Sequence, residues 1–213
     1  MTAILDLLNS EQGKQIIGGI SKETGQPADK TATVLAMGMP ILIGAMKRNS
    51  ETGEGASNLM NALKNKHDGS ILNNLGGLFG GGINEDVKQD GLGILGHVLG
   101  GSQDNAVRAL SKKSGVDTNG IMQILQVAAP ILLGYLGKQR MDKNVNSTSG
   151  IEDLLGGLLG GGKQQGQQSL IESLLDGNND GSVIDDIAGM VLGGGSNQKK
   201  GGLGGLLGGF FGK

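Results

Sequence analysis

The amino-acid sequence predicts an all-α fold, a duplicated helical hairpin forming a small bundle, with Gly-rich linkers and a flexible C-terminal region. Three observations lead there. Two stretches align with each other and share a Pro-Ile-Leu-x-Gly string. Within them, Thr31 to Met46 and Ile121 to Gly137 carry no charged side chain, over roughly 16–17 residues each, the lower edge for spanning a bilayer. No segment shows the sustained apolar/polar alternation of a strand.

The repeat appears when the chain is shifted by about 90 positions, which aligns Ser21 to Arg48 with Ser111 to Lys138 without a gap. Ser21-Lys22 matches Ser111-Lys112, Gly25 matches Gly115, Leu35 matches Leu125, and Pro40-Ile41-Leu42 matches Pro130-Ile131-Leu132. Each copy reads as helix, turn, helix. A lysine near the last carbonyls followed by glycine in the left-handed region is a helix stop, here Lys22 to Gly25 and Lys112 to Gly115. Asp117 is placed to accept from the backbone donors that open the next helix. Pro27 stands at the corresponding point of the first copy, where proline suits a first helical turn. The second helices are apolar on most sides, which implies burial, and they read as core helices in preference to membrane spans. Pro40 and Pro130 fall inside them. The reading preferred for each is a kink that wraps the helix around a small core, or a corner between two short helices; the alternative is a bend that opens a cavity or presents a carbonyl.

In chain order, Ala3 to Leu8 and Gly13 to Lys22 read as short helices before the first turn, and Ser57 to Lys66 follows the first long helix. Val87 to Leu99 and Asn105 to Lys113 lead into the second copy. This divides the chain into a first copy over 1–67, a Gly/Leu-rich linker over 68–86, a second copy over 87–145, and a C-terminal region over 146–213.

Glycine–leucine stretches punctuate the chain. Leu75-Gly76-Gly77-Leu78-Phe79-Gly80 returns as Leu155-Gly156-Gly157-Leu158-Leu159-Gly160, and a third version, Leu203-Gly204-Gly205-Leu206-Leu207-Gly208, runs on to Phe210-Phe211. Glycine this dense costs a helix about 1 kcal/mol per position relative to alanine, which favours linker and tail. Apolar pairs on a glycine background are nonetheless unlike the Ser-rich composition of flexible linkers. The sharper reading is a sticky segment that docks on another copy or on a membrane surface, with the last stretch the best candidate for self-association.

Composition narrows the chemistry. The chain has 43 glycines, no cysteine, no tryptophan, one tyrosine and three phenylalanines, so Leu, Ile, Val and Met must build the core. A formal net charge of −2, without interleaved aromatics, argues against nucleic acid. The absence of thiols excludes disulfides and cysteine chemistry and fits a reducing compartment. The first residues lack the basic stretch and apolar run of a secretory signal. A cytoplasmic location is expected.

One stretch carries a chemical reading. In Asp176-Gly177-Asn178-Asn179-Asp180-Gly181-Ser182, oxygen side chains stand at loop positions 1, 3 and 5 and glycine at 6, the first half of an EF-hand calcium loop. A hard cation takes six to eight oxygens, and alternate residues of a tight loop converge on it. The candidate ligands are Asp176, Asn178, Asp180, Ser182, Asp185 and Asp186. Ile187 stands where the loop's closing Glu belongs, so any Ca²⁺ is expected to bind weakly. The competing reading is turn chemistry followed by an acidic first helical turn.

Other candidates carry less. His67 and His97 are the only histidines, neither has a metal-binding partner at helical spacing, and His97 reads as a surface or half-buried helix residue. No Gly-x-Ser-x-Gly elbow supports a hydrolase triad. Gly91-x-Gly93-x-x-Gly96 has the spacing of a dinucleotide loop but no preceding strand.

Together, the helix after Gly25 or Gly115 running into Pro-Ile-Leu-x-Gly, the Leu-Gly-Gly-Leu-Leu-Gly-Gly-Gly segment, and Asp-x-Asn-x-Asp-Gly-Ser-Val-Ile-Asp-Asp-Ile resemble a bacterial family, domain of unknown function 937, which includes YidB-like proteins. The resemblance implies a helical bacterial protein, carries with it a late acidic loop with paired aspartates, here Asp185 and Asp186, and supplies no activity. The function expected is therefore non-catalytic interaction and self-association as a homo-oligomer. The alternatives are a calcium-responsive module using Asp176 to Ile187 and, remotely, a small hydrolase with a cryptic site. Membrane contact through the Gly/Leu/Phe tail is not favoured.

Overall fold

A computed structural model describes residues 3–159, and every regular element among them is helical. The helices are α1 (Ala3–Asn9), α2 (Glu11–Thr24), α3 (Ala28–Ser50), α4 (Gly53–Asn65), α5 (Ser70–Asn73), α6 (Leu75–Gly80), α7 (Glu85–Leu99), α8 (Gln103–Ser114), α9 (Thr118–Asp142) and α10 (Thr148–Leu158), with a 3₁₀ turn between α7 and α8.

The two turns that separate first from second helices close in the same way. Gly25 (φ 68°) and Gly115 (φ 73°) both sit in the left-handed region, which glycine enters without the Cβ penalty other residues meet. Asp117 then caps α9, its carboxylate accepting from the Gly120 N–H at 3.0 Å. Pro27 differs from expectation: with ψ at 143° it is the residue before α3, not part of its first turn. Its lack of an N–H costs nothing there, because that donor would have no helical partner.

α3 and α9 form the spine and pack against each other. α2 lies on α9 while α8 lies on α3, so each first helix also contacts the opposite long helix. Lys30 reaches from α3 to the Ser114 carbonyl at 2.8 Å, tying α3 to the end of α8. Leu35, Met39, Leu42 and Ile43 of α3 and Ile121, Ile124, Leu125 and Leu132 of α9 are almost fully buried. Pro40 and Pro130 lie within continuous helices, so neither marks a corner between two short ones. α9 is long and apolar enough to cross a membrane, and 78% of its most apolar stretch is buried by its neighbours.

The segment expected to be a linker is instead part of the packed body. α5 and α6 bury Leu72 and Leu75, and Ile83 closes the core behind them. Phe79 lies directly over Gly19 of α2, where no side chain would fit. The Asn74 side chain accepts from the Gly77 N–H and starts α6. Burial of leucine outweighs glycine's poor helix propensity: each buried Leu contributes about 1.5–3 kcal/mol, more than one glycine costs.

A second difference is α10. The start of the region expected to be flexible forms a helix that packs on α3 and α4. Ser147 caps it at the Gly150 N–H, and Ile151, Leu154, Leu155 and Leu158 are buried.

Candidate functional site

α4 ends beside α9, and the chain turns there through Lys66, His67 and Asp68. The His67 N–H donates to the Ala62 carbonyl at 2.9 Å. The Asp68 carboxylate accepts from the Ser70 N–H at 2.9 Å, a local turn of the kind aspartate favours. The His67 carbonyl lies so close to Gly137 that α9 could carry no Cβ at that point. The imidazole is left 7% exposed.

Asp90 of α7 faces this turn. It takes the Lys66 ammonium at 2.5 Å and stands 3.5 Å from His67 Nε2. Burial pushes the His67 imidazole below its ordinary value, and the Asp90 carboxylate opposes that shift in part. On the other side of α7, Lys88 pairs with Glu23 at 2.7 Å and holds its carboxyl below the usual glutamate range. The second Glu23 oxygen accepts from the Ile83 N–H at 3.1 Å, which fixes the approach to α7 against α2.

Lys66, His67 and Asp90 close one end of a cleft of about 640 Å³ between α4 and α7. At the other end the Asn49 amide donates to the His97 and Val98 carbonyls, each at 3.2 Å, and ties α3 to the last turn of α7. Between the two ends the lining is mostly apolar, with Asn58 and His97 its polar side chains. Leu59 and Ala62 line the α4 side, Ile94 and Val98 the α7 side, and Met46 and Leu133 the floor. His97 is exposed on the α7 wall. No hydroxyl or thiol side chain lines the cleft.

A histidine held neutral by burial lowers stability in acid. The unfolded chain takes up a proton near the ordinary histidine value of 6.5, while the folded chain resists until its own lower value is reached. The stabilisation is therefore complete above 6.5 and is lost as the pH falls below it. Urea denaturation at pH 7.5 and pH 5.5 should show a larger drop for the native chain than for His67→Gln. Equal drops would place the imidazole in solvent. Glu23 and Asp68, both depressed, act in the same direction at lower pH and are common to both chains.

The six candidate calcium ligands, Asp176, Asn178, Asp180, Ser182, Asp185 and Asp186, lie outside the described residues, as does the glycine–leucine stretch from Leu203 to Phe211. Among the described residues no three His, Cys, Asp or Glu side chains gather as a metal site. The Gly91-x-Gly93-x-x-Gly96 string lies within helix α7 and cradles no phosphate loop: Gly91 is buried against α9, and Gly93 faces the cleft. The His67–Asp90 approach had no local signal, because His67 stands in the turn after α4 and Asp90 on α7, and the two meet only when both pack against α9.

The family of bacterial proteins of unknown function (DUF937) matches residues 6–139 and 141–213, and the chain belongs to that family. No curated protein and no solved structure matches it.

Proposed function

We propose that this chain is a non-catalytic helical interaction protein that assembles with further copies of itself through its terminal glycine–leucine segment. One observation carries the reading. The Leu-Gly-Gly-Leu pattern occurs twice among the described residues, in α6 and α10, and both times its leucines are packed into the helical body. The pattern acts as a docking element in each setting. It recurs at Leu203 to Leu207, followed by Phe210 and Phe211. Reciprocal packing of α2 on α9 and α8 on α3 supports reading the two hairpins as copies of one unit, already joined face to face within one chain.

Light scattering on the full chain and on a chain lacking Leu203 to Lys213 tests the reading. The full chain should scatter as an oligomer at high concentration, and the shortened chain as a monomer. A full chain that stays monomeric, or an oligomer unaltered by the deletion, would refute it.

A further inference from the structure

We infer that the cleft between α4 and α7 is the receptor for the Leu203–Phe211 segment of a second copy of this chain. The inference rests on the self-association reading and names the surface that reading lacks. Three observations carry it.

The first is the match of polarity. Charged groups are gathered at one end of the cleft, where Asp90 pairs with the Lys66 ammonium and stands 3.5 Å from the His67 imidazole. Leu59 and Ala62 on one wall and Ile94 and Val98 on the other give the cleft apolar sides, which Asn58 and His97 also line. The segment from Gly201 to Gly212 carries no charged or hydrogen-bonding side chain. Such a segment enters the trough without burying a polar side chain of its own.

The second is the match of length. The α4 wall runs from Gly55 to Lys66, roughly 16 Å at the rise of an α-helix. As a helix, Leu203 to Phe211 would span roughly 12 Å.

The third is precedent within the chain. Phe79, which follows the first Leu-Gly-Gly-Leu, lies across a bare glycine, Gly19. The cleft offers the same feature, since Gly93 lines it and a side chain there would meet nothing within 4 Å.

The test uses the full chain and a substitution that cannot damage the core. Gly93→Glu places a carboxylate between the apolar sides of the cleft from an exposed position with open space above it. Circular dichroism should show unchanged helicity, and sedimentation should show a monomer. A second variant, Val98→Asp, changes the same wall independently. The decisive arm mixes Gly93→Glu, which keeps its tail, with the chain lacking Leu203 to Lys213, which keeps its cleft. The mixture should form a one-to-one complex that neither forms alone. If both cleft variants are folded and still oligomeric while the tail deletion is monomeric, the tail docks elsewhere and the inference fails with self-association intact. Failure of the mixture to form a complex overturns it equally. An oligomer that survives tail deletion overturns the self-association reading and this inference together.

Discussion

Alanine at Gly91 should destabilise the fold by about 3 kcal/mol or more, the upper end of the range for forcing extra atoms into a packed interior. The reason lies in α9. Pro130 has no N–H to return to the carbonyl four residues back, that of Gln126, so this carbonyl loses its ordinary helical partner. α7 comes against α9 at that carbonyl: a Cβ built on Gly91 would overlap the Gln126 oxygen and its carbon. The Gln126 side chain completes the junction by donating to the Lys88 carbonyl at 3.0 Å. The obstacle is backbone on both sides, so no rotamer change relieves it, and α7 must move away from its largest partner. Thermal unfolding should register a fall of roughly 6–12 °C, at about 2–4 °C per kcal/mol for a chain of this size. Gly93→Ala and Gly96→Ala are the internal controls. Both would-be Cβ atoms meet open space, and removing glycine from a helix interior should stabilise by up to about 1 kcal/mol each. A Gly91→Ala chain as stable as its controls would mean that α7 and α9 do not meet at this carbonyl.

That junction also shows which parts of the structure are legible in sequence. The left-handed turns at Gly25 and Gly115 and the cap at Asp117 depend on residues within a few positions of one another, and local chemistry was enough to place them. The long uncharged helices were legible because burial on all sides leaves a composition with no polar face. Proline inside a helix signalled that a carbonyl would be freed, but not that Gly91 would receive it, because the two are brought together only by docking of α7. The His67–Asp90 approach was hidden for the same reason. The linker expectation for 68–86 failed for a different one. It weighed glycine's cost to an isolated helix, whereas Leu72, Leu75 and Ile83 are buried by helices distant in sequence. Propensity was read correctly and was outweighed by tertiary packing.

The same competition sets the size of the second large effect. Leu155→Ala should destabilise by about 2–5 kcal/mol, the cost of deleting a buried leucine and leaving a cavity. Leu155 is fully buried on the face of α10 that meets α3 and α4, with Leu154 and Leu158 beside it. If the Leu-Gly-Gly-Leu stretch were spacer, the same change would fall within about 0.5 kcal/mol of neutral, as exposed substitutions do. Gly157→Ala separates the two accounts from the opposite side. Its would-be Cβ meets nothing within 4 Å, so in a helix the substitution should stabilise by up to about 1 kcal/mol, whereas in a flexible spacer it would leave the folded state untouched. Urea denaturation of the two variants against the native chain reads both shifts. A loss at Leu155 with a gain at Gly157 requires a packed helix with one open face. That combination is also what a portable docking element needs: leucines on one side to bury, and an open face on the other. If Leu155→Ala proved neutral, the second seated copy of the pattern would be lost, and with it the ground for expecting Leu203 to Leu207 to find a seat of its own.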